Sequence, residues 1–364
     1  MTSDSEEAAD EGLEKLRFDW RDLPAVTAHL PGTGGRMRSE MEDFVVTEIP
    51  SYLPSGAGDH AYAYIEKRGL ATMDLVRHLQ RQGVPERDVG FAGQKDKYAV
   101  ARQWLSVHEE YASQLETLAD LEGVEVLELS RHRNKLGLGQ LRGNVFELRV
   151  RGPVSDWQPR AEAIAARLQS VGLPNYFGPQ RFGYFNTNAS DAVRLIRGER
   201  VRGGRRMHKF YRSALQSHIF NTLLKLRIEG GTYDGIISGD MAQKHETGGM
   251  FVVDDPEAES KRALALEISA VLPMYGKKVK PSAGSAGEME AGVLSDLGLE
   301  WRDFRGVHGA RRASRVKLVD LNLTPAADGY VARFTLPKGS YATCLMRELM
   351  KVERDSDADV VEEP

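Results

Sequence analysis

The sequence predicts an α+β protein, and three observations lead there. Strand-like and helix-like segments both occur along the 364 residues, but they do not alternate in the regular order that a doubly wound parallel sheet needs. No internal repeat of solenoid period is visible, so the elements must close around ordinary cores. The length accommodates two domains, and 41% apolar with 28% charged residues can supply both cores and surface.

The elements follow in chain order. The segments "EDFVVTEI" (42–49) and "HAYAYIEKRG" (60–69) alternate apolar and polar residues and read as strands. In "TMDLVRHLQRQG" (72–83), Thr72 is the expected N-cap, Met73, Val76 and Leu79 recur at helical spacing, and Gly83 is the stop. A tight loop, "GFAGQKDKYAV" (90–100), leads into the strand "ARQWLSV" (101–107). The strand "GNVFELRVRG" (143–152) sets Phe146, Leu148 and Val150 on one side and Val145, Glu147, Arg149 and Arg151 on the other. A glycine-ended helix, "RAEAIAARLQSVG" (160–172), is followed by "LPNYFGPQRFGYFNTN" (173–188), a structured loop stiffened by Pro174 and Pro179. The long helix "YRSALQSHIFNTLLKLRIEGG" (211–231) lines up Leu215, Ile219, Leu223 and Leu226. The stretch "PSAGSAGEMEAG" (281–292) is expected to be a flexible loop. "GYVARFTLPKGSYATCLMRELMKV" (329–352) reads as strand, turn and helix, with Leu345, Met346, Leu349 and Met350 as the apolar face.

The formal net charge of −4 conceals a division. Residues 1–12 and 353–364 together hold eleven acids and one arginine, which leaves the body with 48 Lys and Arg against 42 Asp and Glu. The tails are expected to be disordered and solvating. Bases concentrate in three runs, 131–151, 194–212 and 302–317, with six, eight and six Lys/Arg against one acid each. One such run is ordinarily a solvated face. Three, with glycines and aromatics interleaved, suit a polyanion whose bases can stack.

Several function classes lack support. No apolar run approaches the ~18 residues of a membrane span, and the acidic N-terminus is unlike a secretory signal. The single cysteine, Cys344, permits neither an intrachain disulfide nor a cysteine metal cluster, and a reducing cytoplasm is the expected setting. There is no P-loop, no H-E-x-x-H and no G-x-S-x-G, and "GTGG" (32–35) matches no phosphate-binding pattern. Neither a metal nor a nucleotide cofactor is expected.

What remains is Asp96, set between Lys95 and Lys97 in the loop at 90–100. An isolated K-D-K is most often a surface ion pair. The sharper reading is a carboxylate kept ionised for chemistry: aspartate has a reference pKa of ~3.9, and neighbouring ammonium groups favour its charged form. By the same residue-level reading, Phe44 and Phe146 are core and Asn144 is a turn residue.

The loop "GFAGQKDKYAVARQWLSV" resembles the signature loop of the TruD family of tRNA pseudouridine synthases. The resemblance continues, in the family's order, through "EDFVV" (42–46), "GNVFEL" (143–148), "PNYFGPQRFG" (174–183), "YRSALQSHIFN" (211–221), "GARRA" (309–313) and "LPKGSYAT" (336–343). It spans about residues 35–350. It implies that Asp96 is the catalytic residue and that Phe44, Asn144 and Tyr341 line the target-base pocket, with Phe146 where other pseudouridine synthases usually place a tyrosine. Tyr341 is a variation within the family's pattern. Lys95 and Lys97 would border the pocket and contact phosphates around the target. Arg181, Arg311 and Arg312 are either RNA-backbone contacts or internal ion pairs, and Arg205 and Arg206 are further backbone candidates.

The resemblance also implies a fold: a pseudouridine synthase domain around a mixed, mostly antiparallel sheet (16–171 with 317–352). The family's own α/β insertion (172–316) interrupts it, and acidic tails lie at 1–15 and 353–364. The implied partner is tRNA, the implied state a monomer, and the implied target uridine 13 in the D-arm. The reaction breaks the C1′–N1 bond, turns the uracil and rejoins it through C5, with no redox change or energy input, so it requires no cofactor. The uridine must be extruded, and Phe146 or Tyr341 can stack on the base, typically worth ~1–3 kcal/mol. Asn144 can read the uracil O4 or N3–H edge. Asp96 could add to the uracil, add at C1′, or steer proton loss from C2′. Other readings are the same chemistry at another RNA position, or a catalytically silent RNA-binding or chaperone protein.

Overall fold

Alternating side chains build several of the strands of the computed structural model, which describes Leu13 and residues 16–183 and 185–352. In chain order the strands are β1 (Phe44–Pro50), β2 (His60–Lys67), β3 (Gly90–Phe91), β4 (Val100–His108), β5 (Val124–His132), β6 (Leu141–Arg151), β7 (Leu173–Pro174), β8 (Met241–Lys244), β9 (Met250–Val252), β10 (Ile268–Met274), β11 (Ala310–Ala313), β12 (Arg315–Val316), β13 (Val319–Ala326) and β14 (Gly329–Pro337). Two compact units result. The first is Thr33–Gln158 with Leu318–Gly339, and the second is Met1–Gly32 with Pro159–Lys317 and Ser340–Pro364. The acidic tails lie outside the described residues, apart from Leu13.

The first unit is organised by one sheet in the order β13-β14-β6-β1-β4-β2-β5, with β3 pairing β4. Only β1 and β4 run parallel; the other pairings are antiparallel, so the expected mixed, mostly antiparallel sheet is present. Register decides what meets on its faces. Across β1 and β6, Phe44 faces Leu148, Val46 faces Phe146 and Glu48 faces Asn144. Across β6 and β14, Phe146 faces Phe334 and Asn144 faces Leu336. Phe44, Phe146 and Phe334 therefore share one side, with ring centroids 6.2 Å and 5.5 Å apart in sequence. Phe146, Leu148 and Val150 are buried, as their alternation predicts. A second core lies under the helix Thr72–Arg81, where Leu75, Val76 and Leu79 pack on Ala63, Ile65, Leu105 and Val107. Burying each large side chain contributes about 1.5–3 kcal/mol.

The cap of that helix differs from expectation. Ala71 occupies the cap position and donates its N–H to Asp74 Oδ2 at 2.8 Å. Thr72 lies inside the first turn, fully buried, and its hydroxyl donates to Gln103 Oε1 (2.9 Å) while accepting the N–H of Lys95 (2.7 Å). The threonine ties the Asp96 loop to β4.

The second unit holds the antiparallel sheet β11-β10-β8-β9, the β7–β12 pair and the helix Arg205–Glu229. Its limits differ from those expected for the insertion: residues 16–32, 159–171 and 340–352 belong to it. The contacts explain this. Glu348 accepts the N–H groups of Val26 and Thr27, Arg347 binds the carbonyls of Trp20 and Leu23, and Arg160 binds that of Gly32. Arg315 is almost wholly buried and donates to the carbonyls of Val171, Ala263 and Ile268 and to Ser269 Oγ, joining β12 to its neighbours.

Two elements depart from the sequence reading. The long helix starts six residues early, within the basic run, and its apolar stripe takes in Leu224 while Leu226 is exposed. Residues 284–296, expected to lie partly in a flexible loop, form a helix (Gly284–Asp296). Its glycines argue against helix, but it buries Ala286, Glu290, Val293 and Leu294. Glu290 accepts from Ser282 N–H (3.0 Å) and Ser282 Oγ (2.7 Å) and pairs with Arg311. Tertiary contacts override propensity there.

Candidate active site

Asp96 sits on the loop between β3 and β4, and three anchors fix that loop. Thr72 Oγ1 accepts the N–H of Lys95. The fully buried Lys67, last residue of β2, donates from Nζ to the Asp96 carbonyl at 2.5 Å. Lys95 Nζ donates to Glu48 Oε2 (3.1 Å) and Asn144 Oδ1 (2.8 Å), which face each other across β1 and β6. With its backbone held on both sides, the Asp96 carboxylate is set in place rather than carried on a mobile turn.

The carboxylate itself is one-third exposed and meets Arg38, whose Nη1 lies 3.3 Å from Asp96 Oδ2. The Arg38 guanidinium lies over the Phe44 ring, 4.2 Å from its centroid, which orients it and shields one side. Arg38 has a φ of 54°, a left-handed conformation that a non-glycine residue adopts at some cost.

Burial governs the other charges. It pushes the Lys67 ammonium down to about 8, against the pull of the Asp96 carboxylate. It raises the Glu48 carboxyl, and the Lys95 ammonium beside it works the other way. Glu48 Oε1 is buried without a hydrogen bond, so Lys95 is the main compensation for that charge.

The sequence-predicted residues divide between the units. Asp96, Lys95, Asn144, Phe44 and Phe146 come together in the first. The expected role of Lys95 needs correction, because its ammonium turns inward to Glu48 and Asn144. A buried carboxylate attracts it more strongly than a partly solvated one. Lys97 Nζ lies 5.8 Å from the Tyr98 ring centroid. Sequence reasoning missed Arg38, Lys67 and Glu48. Glu48 did leave a signal: it shares the inward parity of Phe44 and Val46, and a charged residue on a buried strand face asks for a partner.

Tyr341 belongs to the second unit, where it precedes the helix Ala342–Met350. Its ring meets that of Phe177 at 5.9 Å, and burial raises its hydroxyl above the ordinary tyrosine range. Arg312 stacks 4.1 Å from the Phe177 centroid and donates to the Asn175 carbonyl at 3.0 Å and to Asn175 Oδ1 at 2.5 Å; burial pushes it down to about 10. Arg311 pairs with Glu290 at 3.2 Å, both side chains nearly inaccessible, and donates to the carbonyls of Val271 and Lys280. Arg181 binds Ser217 Oγ (3.1 Å) and Ser213 Oγ. Of the three, Arg311 makes the internal ion pair that was one of the two readings, while Arg181 and Arg312 donate to neutral groups of the same unit. Arg205 and Arg206 are different: both are exposed in the first turn of their helix, where positive charge opposes the helix dipole. Helix stability therefore does not account for them.

A carboxylate beside a guanidinium, with a carboxamide and an aromatic cluster on the adjoining sheet face, can act as nucleophile or base on a flat polar ring. Comparison with known proteins bears on which ring. A family model described as tRNA pseudouridine synthase D (TruD) matches residues 22–199 and 204–349. A tRNA pseudouridine synthase D of Thermus thermophilus is 45% identical over 331 residues, covering 91% of this chain and 92% of its own. One from Anaeromyxobacter dehalogenans is 47% identical over 351 residues, covering 93% and 99%. A solved TruD structure from Methanosarcina mazei, 24% identical, superposes with a TM-score of 0.67 over 91% of this chain and 96% of its own, a likeness of fold.

Proposed function

Because this chain belongs to the TruD family of tRNA pseudouridine synthases, we propose that it converts uridine 13 in the D-arm of tRNA to pseudouridine, with Asp96 as the catalytic carboxylate. The observation that carries this reading is the setting of Asp96: its backbone is clamped by Lys67 and, through the Lys95 amide, by Thr72, and its carboxylate is partly open and faces Arg38. The first unit, Thr33–Gln158 with Leu318–Gly339, is the catalytic unit in this reading.

The target nucleotide is extruded from the folded RNA. Asp96 then assists departure of uracil from C1′, by attack or by taking a proton, and the base turns and bonds through C5. Arg38, 3.3 Å away, holds the carboxylate aimed. Phe44 supports Arg38, and Phe146, stacked on Phe334, backs the sheet face that carries Asn144.

Pseudouridine mapping by carbodiimide treatment and primer extension on unmodified bulk tRNA tests this. Wild type is expected to give a stop at position 13 and Asp96→Asn none, with tRNA affinity unchanged within a few fold. A stop elsewhere would move the target and keep the chemistry. Appreciable activity in Asp96→Asn would remove Asp96 from the reaction.

A further inference from the structure

We infer that the buried Glu48–Lys95 pair fixes the carboxamide of Asn144 as a hydrogen-bond donor, one that uracil satisfies both before and after it turns over in the site. The inference rests on the proposed isomerisation and adds the means of base selection.

The orientation follows from what each group can do. An ammonium only donates, so the Asn144 oxygen must be the atom 2.8 Å from Lys95 Nζ. Lys95 has no freedom to release it. Its side chain is 4% exposed, and Glu48, 1% exposed, holds the same ammonium at 3.1 Å. Rotating the lysine away would leave a buried carboxylate uncompensated, an expensive state. The amide of Asn144 therefore cannot flip. Its Nδ2 makes no hydrogen bond among the described residues, and the residue is partly exposed, one strand pairing from Glu48 and one side chain from the residue preceding Asp96.

A fixed donor has a consequence for a base that must turn. Exchanging N1 for C5 at the C1′ position amounts to rotating the pyrimidine by a half-turn about the line through N3 and C6. That rotation carries O4 into the place of O2 and O2 into the place of O4. Uracil has a carbonyl at both positions, so one donor finds an acceptor in the starting and the turned orientation. Cytosine carries an amino group at C4, which faces the donor with a donor in one of the two. A site that rejects a base by leaving polar groups unpaired can discriminate strongly.

Single-turnover rates on a tRNA transcript test this, with the target uridine replaced by 2-thiouridine or 4-thiouridine, sulfur being a poorer acceptor than oxygen. Wild type should be slowed several-fold by each substitution. Asn144→Ala should be slower on uridine by roughly 10–100-fold, hold tRNA within threefold, and respond to neither sulfur. Asn144→Asp, which keeps an oxygen for Lys95 and loses the donor, should resemble Asn144→Ala. Melting curves of both variants separate these effects from misfolding. If Asn144→Ala shows the same thio ratios as wild type, or if only one sulfur position matters in wild type, the inference is overturned. Failure of wild type on the unsubstituted RNA would instead overturn the isomerisation reading, and this inference with it.

Discussion

Lys67 joins the chemistry of the site to its pH dependence. Its folded-state pKa of about 8 lies below the ordinary lysine value of 10.5 because burial disfavours the ammonium. Between those values the folded chain binds fewer protons at this position than the unfolded chain. The stability cost of the buried charge is thus fully present below pH 8 and is relieved as pH rises towards 10.5. Activity should move the opposite way, because above pH 8 the positive charge that holds the Asp96 carbonyl is lost. Single-turnover rates should fall between about pH 8 and 9.5 with no drop in the denaturant midpoint traceable to this group. Lys67→Arg, which stays charged, should lose that alkaline limb, and an unchanged profile in the variant would clear Lys67 of the role. Asp96 was legible in the sequence because a carboxylate between two lysines in a glycine-containing loop is conspicuous. Its partners were not, because Arg38, Glu48 and Lys67 come from separate segments that only the β1–β4 and β2–β4 pairings and the β1–β6 register bring together. Nearness in sequence pointed to Lys95 and Lys97, whereas burial directs Lys95 to Glu48.

The strands β1, β2, β4 and β6 were read to within two residues from their residue patterns, whereas β5, β10 and β13 were not read at all; other exceptions among the elements are instructive. Gly143 opens the "GNVFEL" stretch, where a Cβ would lie 2.1 Å from the Leu336 carbonyl oxygen on β14. Gly143→Ala must push the strands apart and displace the neighbouring Asn144. A loss of about 2–4 kcal/mol is expected in denaturant titration, with activity falling further than stability explains; a neutral alanine would show that β14 yields freely. The helix Gly284–Asp296 was invisible because its glycines and serine read as a linker, while the contacts that fix it come from Ser282 and Arg311. Arg311→Met strands the buried Glu290 carboxylate and should cost about 3–5 kcal/mol in thermal or denaturant unfolding. RNA affinity of the folded variant should stay within twofold. A tenfold loss of affinity at full stability would return Arg311 to the RNA surface.

Across the whole molecule, a chain of net charge −4 is expected to bind a polyanion, which requires that its positive charge be concentrated and accessible. The structure separates the two conditions. Arg311, Arg312 and Arg315 lie in a basic run but are committed to interior contacts. Arg205 and Arg206 are exposed at the start of a helix that their charge disfavours. Counterion release gives these classes different signatures, since each phosphate contact contributes about 0.7–0.9 to the slope of log affinity against log salt. Replacing both Arg205 and Arg206 with glutamate should lower that slope by roughly 1.5 or more and weaken tRNA binding at least tenfold near 0.1 M salt. The single-turnover rate at saturating enzyme should stay within about twofold, because the proposed chemistry resides at Asp96. An unaltered slope with a reduced saturating rate would mean that these arginines act on the reacting geometry and that another surface supplies the phosphate contacts.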